Sequence, residues 1–402
     1  MKRILYIPSW YPTPENKMKG SFFREQALLF KNHFDFFTLT IAPLKVGVFK
    51  FLYYYFRREF KYFDIQVPPD GLGVFYLQIK YPSFLSIIEP VSKFIEKINY
   101  KIMCKYSYLS LTKEIDKLNW KPNLIHAQSV EDGGILANYL SHKFEVPYII
   151  TEHQVFLLQK FSDFKIKLIF SSFVNAKKVL AVSEHQKRQI LMNGINCTPL
   201  VVGNCIDESV FFINKGEKDV FNILVVTYPS YIKDNETLFN AIKVLKLQGI
   251  TDFKVLIIGG DFDNLYLTDK NNPLFKQAES FGILEYLEFL NYVNREEMPG
   301  YYNKSDVFVS TSIAETFGVA QCEAMMCGVP VIATANGGID DMISEKNGIK
   351  IPIQDYKALA KAILQIKNKE VQFKPDEIRN SVIGKFGKDA FKNKLLEVYS
   401  KF

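Results

Sequence analysis

Residues 312–341 read SIAETFGVAQCEAMMCGVPVIATANGGIDD, and this stretch decides the fold. A strand ends just before it, a tight loop carries Glu315, and a helix opens near Gly318 ahead of the apolar strand PVIAT. This order places free helix N–H groups at the carboxyl end of a parallel strand, where anionic ligands bind. The stretch therefore predicts an α/β fold with a site for a pyrophosphate.

The same alternation of apolar strands and helices extends over the chain. The second half continues it with FNILVVT, KVLIIGG, YLEFLNYV and DVFVS, and the first half contains RILYIP, NLIHAQ, VPYIITEH and KVLAVS. Strands that alternate with helices predict parallel, doubly wound sheets. Because 402 residues exceed what one core usually organises, we expect two Rossmann-like domains. Residues 1–205 are expected to form the first domain and residues 206–387 the second, and a helix at about 388–402 is expected to return to the first.

Composition and cysteine content indicate an ordinary globular protein. The chain is 48% hydrophobic and 23% charged, close to the average for folded domains. The apolar run before Pro8 is too short for a signal peptide, and no run reaches the roughly 18 apolar residues of a membrane span. The five cysteines include no C-x-x-C pair, so neither a zinc site nor a disulfide framework is predicted. A reducing cytoplasm is the expected location.

The positive charge is concentrated in the first half of the chain. Residues 1–205 carry a net charge of +11, and the remainder carries −4. Nucleic acid, an anionic membrane, an anionic acceptor or a plain solvated surface would each suit such a charge. No recognised nucleic-acid module is present, so no nucleic-acid partner is predicted. Residues 45–63, KVGVFKFLYYYFRREFKYF, and secondarily residues 156–170, suit either an anionic membrane interface or a packed aromatic cluster.

One motif and its neighbours carry a family resemblance. Glu315 and Glu323 are separated by seven residues and followed by AMMCGVPVIAT and a Gly-Gly pair. SWYP with Gly20, IHAQ, TEH, AVSE, VVGNCID, IIGG and LEFLNYV precede them in order. The chain thus resembles the family 4 glycosyltransferases with their E-x7-E region. The resemblance implies the GT-B fold, in which two Rossmann-like domains face each other across a cleft, and transfer with retained anomeric configuration. By the same resemblance, residues 1–205 would be the acceptor-side domain and residues 206–387 the nucleotide-sugar-binding domain.

The resemblance also implies roles for residues of the motif. Glu315 is expected to contact the transferred sugar as a catalytic residue. The backbone of Phe317, Gly318 and Val319 would hold the sugar and the diphosphate, and Glu323 would bind the ribose. Carboxylates suit these roles because they accept hydrogen bonds from vicinal hydroxyls. The alternative is that both are surface glutamates beside a helix start.

By the same resemblance, the remaining donor contacts would come from the strand ends of the second domain. Asn291, Tyr292 and Val293 would line the base pocket, and Lys233 in YIKDN would neutralise the leaving diphosphate; alternatively it is an ordinary surface lysine. The family commonly has an arginine after a glycine in this loop, where this chain has Thr227-Tyr228. Either Lys233 and the helix N-terminus suffice, another basic residue substitutes, or activity is weakened.

Two histidines and a glycine are the candidates in the first domain. His153 ends an apolar strand and matches the active-site histidine of the family, so the resemblance implies contact with the donor sugar. A structural role is the alternative, and it is favoured for His126. Gly20 would let backbone approach the sugar or the phosphate, unless it is simply a turn glycine.

These observations predict a metal-independent transferase without a cofactor. The D-x-D sequence at residues 261–263 is interpreted as a loop, and a UDP-sugar or GDP-sugar is the expected co-substrate. The acceptor would be a saccharide or a lipid-linked saccharide in surface polysaccharide biosynthesis, with the enzyme in the cytoplasm and peripheral on the inner membrane face. The alternatives are a catalytically silent sugar-nucleotide binding or assembly protein, motivated by Tyr228, and a GT-B nucleotide-sugar epimerase.

Overall fold

A computed structural model describes residues 1–12, 20–67, 71–83, 89–155, 157–214, 216, 220–259 and 266–402. The chain divides into two compact units. Unit 1 comprises Met1–Val182, Gln186–Val202 and Lys394–Phe402, and unit 2 comprises Ser183–His185 and Gly203–Asn393. The last helix begins at Lys388, and only its part from Lys394 onward groups with unit 1. The D-x-D sequence at 261–263 lies outside the described residues.

Unit 1 is built on one large sheet. Its elements are β1 Lys2–Pro8, α1 Ser21–Leu28, β2 Phe34–Gly47, α2 Val48–Phe56, β3 Lys61–Gln66, β4 Gly73–Ser83, α3 Glu89–Leu118, β5 Leu124–Gln128, α4 Ile135–Phe144, β6 Tyr148–Glu152, α5 Asp163–Asn175, β7 Lys178–Ala181, α6 Glu184–Met192 and β8 Leu200–Val201. The strand order is β3-β4-β2-β1-β5-β6-β7-β8. Sequence neighbours β4 and β5 are separated in space by two other strands, and the 30-residue α3 connects them.

The prediction of purely parallel sheets was wrong at one edge of unit 1. β3 pairs antiparallel with β4, with Phe63 opposite Leu77, whereas β4 pairs parallel with β2. Only residues 67–72 join β3 to β4. A parallel crossover needs a dozen or more residues, so this short connection can only join antiparallel strands.

Unit 2 carries a second, wholly parallel sheet among its described residues. Its elements are β9 Phe221–Val226, α7 Asn235–Leu247, β10 Phe253–Ile258, α8 Pro273–Phe281, β11 Leu287–Leu290, α9 Met298–Asn303, β12 Val307–Ser310, α10 Val319–Met326, β13 Val331–Thr334, β14 Gly348–Ile351, α11 Tyr356–Lys367, α12 Pro375–Phe386 and α13 Lys388–Ser400. The strand order is β11-β10-β9-β12-β13-β14. From β9 the chain adds strands toward one edge of the sheet, and from β12 it adds them toward the other edge. Ligands bind in such sheets at this reversal, at the carboxyl ends of the two strands.

Each unit has its own hydrophobic core around the central strands. Every residue of β5, β6 and β13 is buried, as in parallel strands that helices cover on both faces. Ile125 and Leu136 belong to the core of unit 1, and Ile257 and Ile332 belong to that of unit 2. Burying such a side chain stabilises the fold by about 1.5–3 kcal/mol. The rigid sheets fix the loops that carry the candidate site.

Candidate functional site

An ion pair lies at the carboxyl ends of the two strands where the order of the unit 2 sheet reverses. Lys233 follows β9 in a short 3-10 turn, Glu315 follows β12, and Lys233 Nζ is 2.7 Å from Glu315 Oε1. Both side chains are about one-fifth exposed, at 20% and 19%. The structure thus brings together the two predicted catalytic residues of unit 2, in a position that a ligand can reach.

Backbone contacts hold the two loops of this pair against each other. Ile313 N donates to Ile232 O at 2.7 Å, and Thr311 Oγ1 donates to Lys233 O at 2.9 Å. On the other side, Glu315 forms a bridge with Gly337, and a Cβ atom on Gly338 would lie 2.4 Å from Glu315 O. The Glu315 loop is therefore packed between two neighbours, which preorganises its side chain.

The helix that follows Glu315 presents its N-terminus at the same strand ends. Gly318 precedes α10 with a φ of 91°, a conformation that side chains rarely adopt, and an added Cβ would lie 2.6 Å from Ile339 Cγ2. The Phe317 side chain is buried against Phe386, with ring centroids 5.0 Å apart. The Phe317 side chain is thus directed into the protein, and the free N–H groups at the start of α10 favour anions.

Glu323 is buried on α10 and already has protein partners. Its Oε1 pairs with Arg295 Nη2 at 2.9 Å, and its Oε2 accepts a hydrogen bond from the Tyr302 hydroxyl at 3.0 Å. Burial, with the nearby Glu323 charge, raises the pKa of Tyr302 well above its usual value. A carboxylate offers about four acceptor positions, so ribose hydroxyls would share it with these two donors. Neither Arg295 nor Tyr302 was predicted, because no spacing rule connects them to Glu323.

The segment predicted to line the base pocket follows β11 directly. Asn291 Oδ1 accepts hydrogen bonds from the backbone N–H and the hydroxyl of Thr268 at 3.3 and 3.2 Å. The Tyr292 side chain is about half exposed, and Val293 follows it in irregular backbone. These three residues lie at the carboxyl edge of the sheet, as predicted for ligand-binding positions.

The loop that lacks the family's arginine is fixed by side-chain hydrogen bonds. Thr227 is buried and donates from Oγ1 to Asn235 Oδ1 at 2.8 Å, while Asn235 Nδ2 donates to Tyr228 O at 3.1 Å. The half-exposed Tyr228 ring lies 5.6 Å from Lys233 Nζ, within range of a cation–π contact. The cation of this loop is thus Lys233, whose ammonium is held between Tyr228 and Glu315.

In unit 1, His153 follows β6 and belongs to a buried hydrogen-bond network. His153 Nε2 is 2.6 Å from Gln128 Oε1, and Gln128 Nε2 is 2.9 Å from His126 Nε2. In this orientation the amide of Gln128 accepts from His153 and donates to His126, which assigns the proton of His153 to Nε2. His153 Nδ1 is buried without a hydrogen-bond partner among the described residues. It is therefore a free acceptor.

Burial keeps both imidazoles of this network neutral. It lowers the pKa of His153 to about 3, and it lowers that of His126 to about 3 with a further contribution from His153. His126 is fully buried, and its Nδ1 lies 2.6 Å from the Tyr399 hydroxyl of α13. Tyr399 and Gln128 were not predicted, since the network joins residues as far as 273 positions apart in sequence. His126 is thus enclosed by protein partners within unit 1, and its structural role stays a prediction.

The backbone around His153 is held by a buried carboxylate. Glu152 accepts hydrogen bonds from the N–H groups of Val130, His153 and Gln154 at 2.8, 2.9 and 2.9 Å. Burial raises the pKa of Glu152, and these hydrogen bonds oppose that effect. Because Val130 begins a π-helical turn before α4, Glu152 joins two strand-end loops. It is a positioning residue.

Gly20 immediately precedes α1 in the left-handed backbone region, with a φ of 73°. A Cβ atom there would lie 2.6 Å from Trp10 O and 2.8 Å from Trp10 Cδ1. Glycine is required by both the backbone angle and the close packing. The next residues on α1, Phe22 and Phe23, place their rings 5.6 and 4.9 Å from that of His153. The Gly20 loop therefore adjoins His153 within unit 1.

Known families match most of the chain. Glycosyl transferases group 1 match residues 207–384, and Glycosyltransferase Family 4 matches residues 79–210. An uncharacterized glycosyltransferase of Methanocaldococcus jannaschii is 26% identical over 66% of this chain and 70% of its own length. The alpha-monoglucosyldiacylglycerol synthase of Streptococcus pneumoniae is 24% identical over 60% of this chain, and the match spans 58% of that relative.

Solved structures share the fold over the whole chain. Sucrose-phosphate synthase from Thermosynechococcus elongatus superposes with a TM-score of 0.73 at 18% identity, covering 100% of this chain and 99% of that one. Anabaena HepE, solved in complex with UDP, superposes with a TM-score of 0.69 at 16% identity and covers both chains completely. The chain therefore belongs to the glycosyltransferases, with Family 4 and group 1 sequence regions in succession and the GT-B fold.

Proposed function

We propose that this protein transfers a sugar from a UDP-sugar or GDP-sugar to a hydroxyl group of a saccharide or lipid-linked saccharide. The observation that carries the proposal is the accessible Lys233–Glu315 pair beside the N-terminus of α10, at the strand ends where the unit 2 sheet reverses. A fixed cation and free helix N–H groups suit a diphosphate. That HepE has been solved with UDP and with UDP-glucose supports a nucleotide-sugar donor.

The reaction that we propose retains the anomeric configuration. The bond between the anomeric carbon and the diphosphate oxygen breaks, and the acceptor oxygen forms its bond on the same face. The acceptor proton passes to the departing phosphate oxygen. Lys233 and the N–H groups of Gly318 and Val319 stabilise the negative charge that develops there, in the way that preorganised donors lower a barrier. No covalent nucleophile is required.

The other site residues would bind and orient the donor. Glu323 would accept hydrogen bonds from the ribose, and residues 291–293 would surround the base. Once the diphosphate has replaced Glu315 as the partner of Lys233, Glu315 would accept hydrogen bonds from hydroxyls of the transferred sugar. His153 would also contact that sugar, and its free Nδ1 makes it an acceptor of a hydroxyl hydrogen. A neutral imidazole suits this contact because it adds no charge.

The proposal includes no metal ion and no cofactor besides the nucleotide sugar. Within the described part of the chain, no group of three or more metal-ligating side chains lies close together. The charge of the diphosphate would instead be balanced by Lys233 and the helix dipole. Turnover that persists in EDTA and is not raised by Mn²⁺ or Mg²⁺ is the expected result, and loss of turnover in EDTA would contradict it.

Two other functions remain as alternatives, a silent sugar-nucleotide binding protein and a nucleotide-sugar epimerase. A transferase is expected to hydrolyse its donor slowly without an acceptor, releasing UDP or GDP and the free sugar, whereas a silent binding protein is not. Conversion of the donor sugar into its epimer without an acceptor would identify the second.

The first experiment measures melting temperature with a panel of UDP-, GDP- and ADP-sugars. A ligand that binds only the folded state raises the free energy of unfolding, by about 2.7 kcal/mol when its concentration is 100 times Kd. The melting temperature rises as a result. We expect one nucleotide sugar to stabilise the wild type, and to stabilise Glu323→Gln less. Gln is the conservative change, because it preserves the volume of a buried side chain. The absence of any shift in the wild type would contradict the proposal.

We further propose that the enzyme works in the cytoplasm, in surface polysaccharide biosynthesis, on the inner face of an anionic membrane. No helix in the described residues is both long and apolar enough to cross a bilayer. The membrane would instead meet α2, where Phe49 and Phe56 are 90% and 80% exposed and Lys50, Arg57 and Arg58 are also exposed. Exposed aromatics beside cations are typical of interfacial helices.

The second predicted membrane segment, residues 156–170, has a different place. Residue 156 lies outside the described residues, and Phe161, Leu168 and Phe170 pack against the core of unit 1. We therefore assign the membrane contact to α2 alone. Vesicles of phosphatidylglycerol at low salt should bind the wild type, and Phe49→Ser with Phe56→Ser should weaken that binding. Equal binding to neutral and anionic vesicles, or none, would contradict the assignment.

A further inference from the structure

The loop between β9 and α7, which adjoins the proposed diphosphate site, carries a single cation. Residues 227–234 read TYPSYIKD, and Lys233 is the only lysine or arginine among them. A flexible four-carbon stem separates its ammonium from the backbone. The groups that hold this ammonium therefore determine how well the loop binds a phosphate.

The backbone and the side chain of Lys233 are held by different groups. Its N–H donates to Ser230 O at 3.1 Å, and its carbonyl accepts a hydrogen bond from Thr311 Oγ1 at 2.9 Å. Its Nζ lies 2.7 Å from Glu315 Oε1 and 5.6 Å from the centroid of the Tyr228 ring. Within the described part of the chain, the ammonium has these two contacts. One contact is an anion, and the other is an uncharged ring.

The residue that carries this ring is itself held in place. Tyr228 O accepts a hydrogen bond from Asn235 Nδ2 at 3.1 Å, and Asn235 is the buried first residue of α7. Asn235 Oδ1 in turn accepts a hydrogen bond from the buried Thr227 at 2.8 Å. The position of Tyr228 is thus tied to the end of β9 and the start of α7. Its ring is a fixed surface beside a flexible lysine.

The two contacts of Lys233 respond differently to a bound diphosphate. A phosphate oxygen competes with the Glu315 carboxylate, because both are anionic partners of the same ammonium. The Tyr228 ring carries no charge, and the attraction between a cation and an aromatic face does not require the cation to give up an anionic partner. When a diphosphate displaces Glu315, Tyr228 is therefore the contact that still holds Lys233.

We propose that Tyr228 is a positioning residue, whose ring holds the Lys233 ammonium against the diphosphate of the donor. This inference rests on the proposed transferase function. A cation–π contact at an exposed site changes affinity about 2- to 5-fold, which corresponds to about 0.5–1 kcal/mol. We expect an effect of this size, because the Tyr228 side chain is 46% exposed.

The direct test changes the electron density of the ring and leaves its shape nearly unchanged. Phenylalanine and its 4-fluoro, 3,5-difluoro and 3,4,5-trifluoro derivatives are introduced at position 228 of the full chain. Binding is measured by isothermal titration with whichever of UDP and GDP the wild type binds more tightly. Each fluorine withdraws electrons from the ring face and weakens its attraction for a cation.

The expected result is a graded loss of affinity. Tyr228→Phe keeps the ring and should bind the nucleotide within about twofold of the wild type. The affinity should then fall with each added fluorine, to about 2- to 5-fold below that of Tyr228→Phe when three are present. Because Lys233 is proposed to stabilise the departing diphosphate, kcat/KM for transfer should fall in the same order. An affinity that stays constant along the series would overturn the inference.

A double-mutant cycle tests whether Tyr228 acts through Lys233. Tyr228→Leu removes the ring and should weaken nucleotide binding about 2- to 5-fold when Lys233 is present. Lys233→Met keeps an unbranched side chain without the charge, and in that background Tyr228→Leu should change the affinity little. An equal loss in both backgrounds would show that Tyr228 acts independently of Lys233, and it would also overturn the inference.

Tyr231→Leu is the matched control, because Tyr231 lies in the same loop and its side chain is 80% exposed. It should bind the nucleotide like the wild type. The wild-type titration separates this inference from the proposed function. If the wild type binds a nucleotide and the fluorinated series is flat, only the role of Tyr228 is refuted. If the wild type binds neither UDP nor GDP, the proposed function fails, and the inference fails with it.

Discussion

Substitution of Lys233 should weaken UDP binding, whereas substitution of its partner Glu315 should strengthen it. In the free protein, Lys233 Nζ lies 2.7 Å from Glu315 Oε1, so a diphosphate that binds Lys233 must compete with this carboxylate. Lys233→Ala removes a charge-assisted contact of about 1.5–3 kcal/mol, which corresponds to about 10- to 150-fold weaker binding of UDP. Glu315→Gln removes the competitor and a like charge.

The gain from Glu315→Gln is expected to be smaller. An ion pair of groups that are about one-fifth exposed is worth about 1 kcal/mol at most, so UDP should bind up to about fivefold more tightly. Transfer activity should nevertheless fall, because the sugar contact is lost. Lys246→Ala removes another ion-paired lysine at the far end of α7 and serves as the control.

Isothermal titration with UDP, which lacks the sugar, isolates the diphosphate contact from any sugar contact. The expected order of affinity is Glu315→Gln, then wild type and Lys246→Ala together, then Lys233→Ala. UDP binding by Lys233→Ala that equals the wild type would refute the assignment of Lys233 to the diphosphate. Weaker UDP binding by Glu315→Gln would refute the competition between carboxylate and phosphate.

Three further predictions concern stability. The folded-state pKa of about 3 for His126 and His153 lies below the usual value of 6.5. Their contribution is therefore complete above pH 6.5 and lost as pH falls, by about 2 kcal/mol each at pH 5, and a flat urea-unfolding free energy over that range would count against it. Arg295→Met leaves a buried carboxylate without its cation and should cost about 3–5 kcal/mol, whereas a melting temperature close to that of the wild type would show that Glu323 finds another cation. Gly259→Ala places a Cβ 1.8 Å from Thr227 O, so it should lower both the melting temperature and UDP affinity, and unchanged values would contradict this packing.

Local sequence patterns were sufficient to predict the buried parallel strands that alternate with helices. The predicted strands KVLIIGG and PVIAT, for example, correspond to β10 and β13, because a strand that helices cover on both faces is largely apolar. The antiparallel β3 escaped this reasoning, since its residues 61–66 alternate little and its direction follows from the short connection to β4. The hydrophobic pattern of a segment predicts that a strand forms, whereas the length of the connection determines whether two neighbouring strands pair parallel or antiparallel.

For the candidate site, the motif located residues but not their partners. The positions of Glu315 and Gly318 follow from strand, loop and helix order alone. That Lys233 pairs with Glu315, that Arg295 and Tyr302 share Glu323, and that Gln128 joins two histidines could not be predicted. These contacts join separate strand ends. Their geometry depends on sheet order, which local propensity does not encode.

The sequence by itself determined the alternating α/β pattern, the anion-binding helix start and the family resemblance, because each depends on residues that are close together along the chain. Only the tertiary structure decided which side chains are neutral, which are paired, and where a cavity of about 770 Å³ opens in unit 1. The physical reason is that burial and charge pairing depend on distances in space. Glu96, Asp132 and Lys165 are far apart in sequence and line one cavity only because α3, α5 and the turn after β5 pack together.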